Sequence, residues 1–217
     1  MVLDQEFDFN FNNHAAVLQR AKSDGAEAFL FIGDNGNQTK FLEASRQIGW
    51  TPPKGWIWWS AAHNNLPVWP SYKDVAKNGF YIFSGYNTTF GGNLSNEMKT
   101  FQQALQKGRN TNYPDYTKYL LKTPDGNLEP TEWAYTAWIG CRLFQKAAQG
   151  LGANLTRQGL MDAIKNLTYD TGFGPIFDYK KYPDKVVARG GSMIKMNPDG
   201  SYEQAQAWKE DADFTKP

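Results

Sequence analysis

The sequence has a single cysteine, two histidines and no excess of either charge. Cys141 alone cannot form an internal disulfide, and with His14 and His63 it makes no zinc-ligand cluster. The 23 basic and 22 acidic residues give a net charge of +1, and no basic block is present that could neutralise a run of phosphates. We therefore expect no metal site and no nucleic-acid partner, and no cofactor is implied.

Long apolar runs are also missing. No run approaches the roughly 20 residues needed to cross a bilayer. The opening residues, MVLDQEFDFNF, lack the basic head and apolar segment of a signal peptide. What the sequence does have is 41% apolar residues, which is ordinary for a globular protein, and an aromatic content of 15%. High aromatic content suits small-molecule or carbohydrate surfaces as well as buried sheets, so it does not decide between them.

Apolar runs of strand length alternate with helical patterns in the first part of the chain. Phe7, Phe9 and Phe11 alternate with polar residues, as in a strand or an extended segment. The runs FLFIG, WIWW and GFYIFSGY predict strands, and AAVLQRAKSDG, QTKFLEASRQIG and PSYKDVAKN predict helices between them. This alternation predicts a parallel sheet with helices on both faces, whose ligand crevice lies at the carboxyl ends of the strands.

A helical part and then further strands follow. The segments SNEMKTFQQALQKG, TEWAYTAWIGCRLFQKAAQG and TRQGLMDAIKNL predict helices, with Thr156 as the cap of the last one. GFGPIFDYKK predicts a strand, and GSMIKMN and SYEQAQAW predict a hairpin around the turn at 197–200.

The sequence gives no support for an enzyme. Cys141 lies among apolar residues of a predicted helix, which is typical of a small buried hydrophobe and not of an activated thiolate. There is no Gly-x-Ser-x-Gly elbow and no Gly-Lys-Ser/Thr loop, and GDNGN lacks the third glycine of a dinucleotide fingerprint.

Four segments, in this order, resemble the carboxyl-terminal two thirds of class I periplasmic binding proteins of the leucine/isoleucine/valine-binding type: GAEAFLFIGDNGNQTKFLEASRQIG, WAYTAWIGCRLFQKAAQGLG, TGFGPIFDYKK and IKMNPDGSY. The resemblance implies an α/β, type I periplasmic-binding-protein-like fold with two lobes and a ligand between them. Residues 1–85 plus 190–217 would form the second-lobe sheet with its flanking helices. Residues 86–189 would be the returning, mostly helical part of the first lobe.

The same resemblance implies a substrate-binding component of an ABC importer. Such a protein binds an amino acid or a related compound, is periplasmic or extracellular, and presents its ligand to a membrane permease. A ligand-sensing receptor or regulator domain of the same fold is the alternative. The sheet of the first lobe, and the first strand and helix of the second lobe, have no counterpart here. We therefore expect either a truncated form or a homodimer that covers the apolar helical residues Trp133, Ala137, Trp138, Cys141 and Phe144.

Six residues are the candidate ligand contacts that the resemblance implies. Asp34 and Asn35 follow the FLFIG strand, and Trp59, Ser60 and Ala61 end and follow the tryptophan strand. The sixth, Tyr86, lies at the expected crossover between the lobes.

Two of these positions have simpler readings. Asp34 is also a natural helix N-cap, and Asn35 is a natural turn residue. Side chains alternate along a strand, so we expect Trp56 and Trp58 in the core and Trp59 nearest the crevice.

Overall fold

The computed structural model describes residues 2–60, 69–87, 94–109, 121–122, 128–129, 132–181 and 190–210. The helices are α1 (His14–Ser23), α2 (Asn35–Ile48), α3 (Asn96–Arg109), α4 (Glu132–Gln149) and α5 (Arg157–Lys165). The strands are β1 (Phe29–Gly33), β2 (Trp56–Ser60), β3 (Phe80–Ser84), β4 (Leu121–Lys122), β5 (Leu128–Glu129), β6 (Thr168–Asp170), β7 (Ile176–Asp178), β8 (Gly190–Met196) and β9 (Tyr202–Glu210). The predicted α/β class is confirmed.

A five-stranded sheet in the order β1-β2-β3-β8-β9 is the centre of the fold. β1, β2 and β3 run parallel, and β8 and β9 form the predicted hairpin and add antiparallel strands beside β3. The chain enters β8 only after passing through α3, α4 and α5. The helical part is therefore inserted between two neighbouring strands of one sheet.

Local signals set the ends of α2 and the start of α5. α2 begins after Asp34, whose side chain accepts a hydrogen bond from the backbone N–H of Asn37. It ends at Gly49, which adopts the left-handed conformation (φ 61°) that glycine accepts without steric cost. Thr156 caps α5 as predicted, by accepting a hydrogen bond from the N–H of Gly159.

Two separate apolar clusters lie in the described part of the chain. The first packs α1 and α2 on one face of the sheet, with Phe41, Trp56, Trp58 and Phe80 completely buried. The second joins α3, α4 and the β6–β7 hairpin around Phe101, Tyr135 and Phe173, and similar aromatic packing holds it together.

The prediction that helices cover both faces of the sheet is wrong for the described residues. In β1, Phe31 is buried beneath α2, whereas Leu30 and Ile32, on the opposite face, are 55% and 64% exposed. The continuous apolar run FLFIG led to the expectation, because such runs usually occur in strands buried on both sides. Here α1 and α2 both contribute to the same cluster as Phe31.

The period-two pattern at Phe7, Phe9 and Phe11 does not form a strand, and the helix predicted at PSYKDVAKN does not form. Residues 2–13 contain no strand, and Phe9 is 81% exposed while Phe7 and Phe11 pack on the first cluster. The predicted helix PSYKDVAKN is only a short 3-10 turn, Trp69–Tyr72, followed by single turns in which Val75 and Ala76 both donate to the carbonyl of Tyr72. Burial of Trp69 against Trp58 and Phe80 holds this short connection close to the sheet.

Cys141 is exposed, contrary to the buried setting that its apolar neighbours predicted. α4 packs through Tyr135 and Ile139, and a residue two positions after Ile139 lies about 200° around the helix from it. The exposed side of α4 also carries Trp133 and Phe144, which are 68% and 49% exposed.

Candidate functional site

The candidate residues follow the carboxyl ends of three neighbouring parallel strands. β1 and β2 are in register, so that Gly33 pairs with Ser60, and Asp34 continues directly from this end of the sheet. Tyr86 lies two residues beyond the end of β3. Ala61 and the side chain of Ser60 lie outside the described residues. The other four candidates are thus placed along one edge of the sheet, where open α/β folds bind ligands.

Asp34 is held in place by Asn37. Its Oδ1 accepts from the backbone N–H of Asn37 at 3.0 Å, and its Oδ2 accepts from the Asn37 side-chain amide at 2.7 Å. Partial burial raises the pKa of Asp34, but these hydrogen bonds outweigh it and leave the pKa below its ordinary value. The carboxylate is therefore a fixed negative charge at this edge as well as the cap of α2.

Asn35 is the first residue of α2, and its backbone carbonyl accepts from the Thr39 hydroxyl at 2.8 Å. A further contact joins α2 to the end of β2, where the side-chain amide of Gln38 donates to the carbonyl of Trp59 at 3.4 Å. The first turn of α2 is therefore connected to the end of β2.

The three tryptophans of β2 divide between the two faces of the sheet. Trp56 and Trp58 are completely buried and stack on each other with ring centroids 5.4 Å apart. Trp59 points to the other face, is 37% exposed and stacks on Phe83 of β3 at 4.4 Å. The predicted burial of Trp56 and Trp58 is confirmed, and Trp59 presents part of its indole to the surface.

Tyr86 is a junction between the sheet and the helical part. Its hydroxyl is 3.1 Å from the hydroxyl of Thr136 in α4, and its ring packs edge-on against Tyr135. Its backbone carbonyl accepts from the Ser192 hydroxyl in β8. These contacts restrain Tyr86 on two sides, so it connects the end of β3 to both α4 and β8.

Sequence reasoning missed Glu132, the first residue of α4. Its Oε1 accepts from the Ser84 hydroxyl at 2.7 Å and from the backbone N–H of Gly85 at 3.0 Å. Ser84 is completely buried at the end of β3. The only sequence signal was an acidic residue in the first turn of a helix, which is common for electrostatic reasons alone.

Asn87 was missed as well. Its backbone N–H donates to the carbonyl of Phe173 at 2.6 Å, and its side-chain oxygen accepts from the backbone N–H of Trp208 at 2.6 Å and from Gln204 at 3.2 Å. It therefore links the loop before β7 to β9. No local pattern could have revealed this, because the partners lie far away in the sequence.

Metal sites and membrane spans are both absent from the described ranges. No group of three or more histidine, cysteine, aspartate or glutamate side chains there could hold a metal ion. None of the helices in those ranges is both long enough and apolar enough to span a membrane.

Comparison with known proteins gives the family. No curated protein matches the chain. Among solved structures, a fatty acid ABC transporter substrate-binding protein from Thermomonospora curvata matches with a TM-score of 0.63 and 20% identity; the match covers 90% of this chain and 46% of that one. The chain thus spans about half the length of this structure, and the likeness concerns the fold. The family model described as periplasmic binding protein matches residues 1–201, nearly the whole chain, which therefore belongs to the periplasmic binding protein family.

Proposed function

We propose that this chain is the ligand-binding part of an ABC importer's substrate-binding component, and that it holds a small molecule where the sheet meets the helical part. Residues 1–85 plus 190–217 would act as one lobe, and residues 86–189 as part of the other. The ligand would lie against Asp34, Asn35, Trp59, Ser60, Ala61 and Tyr86.

The observation that carries this proposal is the set of contacts between the carboxyl end of β3 and α4. Glu132 binds Ser84 and Gly85, and Tyr86 contacts Thr136, so the start of α4 lies beside the edge that carries the candidate residues. A crossover joined by a few hydrogen bonds can act as a hinge, because a small number of residues there absorbs the backbone change of closure.

The charges at this edge favour a ligand that carries an ammonium group. Asp34 and Glu132 are both acidic, and the partly exposed indole of Trp59, at the end of β2, offers a flat apolar surface. An amino acid or a related amine matches this combination. A free fatty acid, the ligand class for which the Thermomonospora curvata protein is named, would bring a further negative charge to the same edge.

The family implies a periplasmic or extracellular location and a permease partner in the membrane. A homodimer that covers the exposed side chains of α4 stays a prediction.

Calorimetric titration tests the ligand class. The panel contains leucine, isoleucine, valine, phenylalanine, benzoate and octanoate, each added to the purified chain. We expect heat from at least one amino acid, and a loss of affinity of about tenfold in Trp59→Ala, because one stacking contact is removed.

Phe144→Ala is the control, because this half-exposed aromatic residue lies in the second half of α4, more than two turns from Glu132. Binding of octanoate alone would contradict the amine preference. Binding that Trp59→Ala leaves unchanged would place the ligand elsewhere.

A further inference from the structure

His14, the first residue of α1, is a buried polar side chain between two aromatic rings. It is 5% exposed, and its ring packs edge-on against Phe11 and Phe41, with ring centroids 4.8 Å and 4.7 Å away. A phenylalanine ring could make similar contacts, so packing alone does not require an imidazole at this position. What a phenylalanine could not make is the hydrogen bond between His14 and α2.

Asn37 of α2 is the hydrogen-bond partner of His14. Its side-chain oxygen Oδ1 lies 2.8 Å from Nε2 of His14, and both side chains are buried. The nitrogen Nδ2 of the same side chain donates to Oδ2 of Asp34 at 2.7 Å. Asn37 therefore connects a buried imidazole in α1 to a carboxylate that is one of the candidate ligand contacts.

The donors and acceptors in this series of bonds are set by Asp34. An ionised carboxylate only accepts hydrogen bonds, so the part of Asn37 that faces it is the NH₂ group. The Asn37 oxygen then faces His14 and can only accept, so Nε2 of His14 carries a proton. A reversed Asn37 amide would place two acceptors against each other at Asp34 and two donors against each other at His14. The imidazole N–H therefore fixes the orientation of the amide.

The second hydrogen bond to Asp34 is more than a helix cap needs. As the N-cap of α2, Asp34 uses Oδ1 to accept from the backbone N–H of Asn37. In the usual capping box, the side chain at this third helical position reaches back to the backbone N–H of the cap residue. Here the Asn37 side chain donates to Oδ2 of the cap instead. Two bonds on different oxygens prevent the carboxylate from rotating about its Cβ–Cγ bond.

The carboxylate of Asp34 still has room to bind a cation. A carboxylate offers about four acceptor positions, and the two bonds from Asn37 occupy one on each oxygen. Asp34 is half-buried and lines a cavity of about 780 Å³, whose other titratable residues are Glu6 and Asp8. The charges around this cavity are therefore negative. Fixing the carboxylate beforehand removes rotational freedom that would otherwise be lost when a ligand binds.

We propose that His14 is a positioning residue for the ligand site. Its Nε2–H holds the Asn37 oxygen, which turns the Asn37 NH₂ group toward Asp34 and keeps the outer side of that carboxylate available to the ammonium group of a ligand. The proposal rests on the function proposed above, in which Asp34 contacts an amino acid or a related amine. Because His14 is buried, it acts through Asn37 and does not touch the ligand.

NMR titration of the Asp34 carboxyl carbon in the ligand-free chain tests the positioning. His14→Phe keeps an aromatic ring but loses the donor, so the Asn37 amide is no longer held and the pKa of Asp34 should rise above its value in the parent. His14→Gln places an amide N–H near the Nε2 position and should restore the parent titration. Ser45→Ala is the matched control, because it removes a buried hydrogen bond to the carbonyl of Trp50 at the other end of α2. It should lower stability without moving the titration of Asp34.

Titration with leucine, followed by calorimetry and by the chemical shift of the same carboxyl carbon, measures the consequence for binding. We expect the affinity for leucine to fall about fivefold in His14→Phe and to stay close to the parent value in His14→Gln. The proposal is overturned if His14→Phe leaves the Asp34 titration unchanged, if Ser45→Ala moves it equally, or if nitrogen chemical shifts show no proton on Nε2 of His14. If leucine leaves the Asp34 carbon unshifted in the parent while His14→Phe changes the titration as expected, the amino-acid function is wrong and the positioning of Asp34 by His14 stands.

Discussion

Asn87 and Trp208 are 121 residues apart in the sequence, yet the Trp208 backbone N–H donates to the Asn87 side-chain oxygen at 2.6 Å. Asn87 leaves the end of β3, and Trp208 lies in β9 at the far side of the sheet order. The same asparagine holds the carbonyl of Phe173 in the second apolar cluster. One residue therefore joins the crossover, the sheet and the helical part.

Asn87→Ala should loosen this junction. It leaves the Trp208 N–H without its acceptor, and we expect a loss of about 1–3 kcal/mol in the free energy of unfolding. Faster amide exchange at Trp208 should accompany it. Urea unfolding followed by circular dichroism measures the free energy of unfolding, and NMR measures the amide exchange rate at Trp208.

Two further variants are compared with Asn87→Ala. Asn87→Asp keeps an oxygen acceptor and should retain most of the stability. Asn166→Ala, on the exposed end of α5, is the matched control. Equal losses at positions 87 and 166 would contradict the junction.

Glu132 should be needed to hold α4 on the end of β3. Glu132→Ala removes the acceptor of the buried Ser84 hydroxyl and of the Gly85 N–H, and a buried donor without a partner costs about 1–3 kcal/mol. Glu132→Gln keeps an acceptor oxygen and should recover most of this loss. Thermal unfolding of both variants measures the difference. If Gln is as destabilising as Ala, the carboxylate charge and not the hydrogen bonds holds α4.

The sequence predicted most elements because their signals are local. The apolar runs of β1, β2 and β3, Gly49 after α2 and Thr156 before α5 act within a few residues, and each appears where expected. Glu132 and Asn87 could not be predicted, because their roles depend on partners 45 or more residues away. The exposure of Leu30 and Ile32 was missed for a related reason. The apolar run of β1 does not show which face of the sheet the helices cover.

The pH dependence of stability should depend in part on Glu97. Burial raises the pKa of Glu97, but hydrogen bonds from Arg142 and Trp138 and the positive charge of Arg142 outweigh it and lower the pKa below its ordinary value of 4.5. A lowered folded-state pKa contributes stability that is complete above the unfolded-state pKa and is lost as pH falls through the folded-state pKa. Glu97→Gln should therefore be less stable than the parent at pH 7, and the difference should shrink below about pH 4.5.

Urea midpoints of both proteins between pH 7 and pH 3 measure that difference. Glu210→Gln, at the exposed end of β9, is the control and should give a difference that does not change with pH in this way. If the difference in urea midpoint between Glu97→Gln and the parent stays constant from pH 7 to pH 3, the ion pair between Glu97 and Arg142 does not stabilise the fold.

Neighbouring tryptophans in β2 should respond very differently to truncation. Trp58 is completely buried and stacks near Trp56 and Trp69, so Trp58→Ala leaves a large cavity and should cost about 3–5 kcal/mol. Trp59 is 37% exposed and loses mainly its stack on Phe83, so Trp59→Ala should cost only about 1 kcal/mol. Urea unfolding followed by far-ultraviolet circular dichroism compares them without relying on tryptophan emission. Similar costs at the two positions would mean that the outer face is buried in solution, and that Leu30, Ile32 and Trp59 already have a cover.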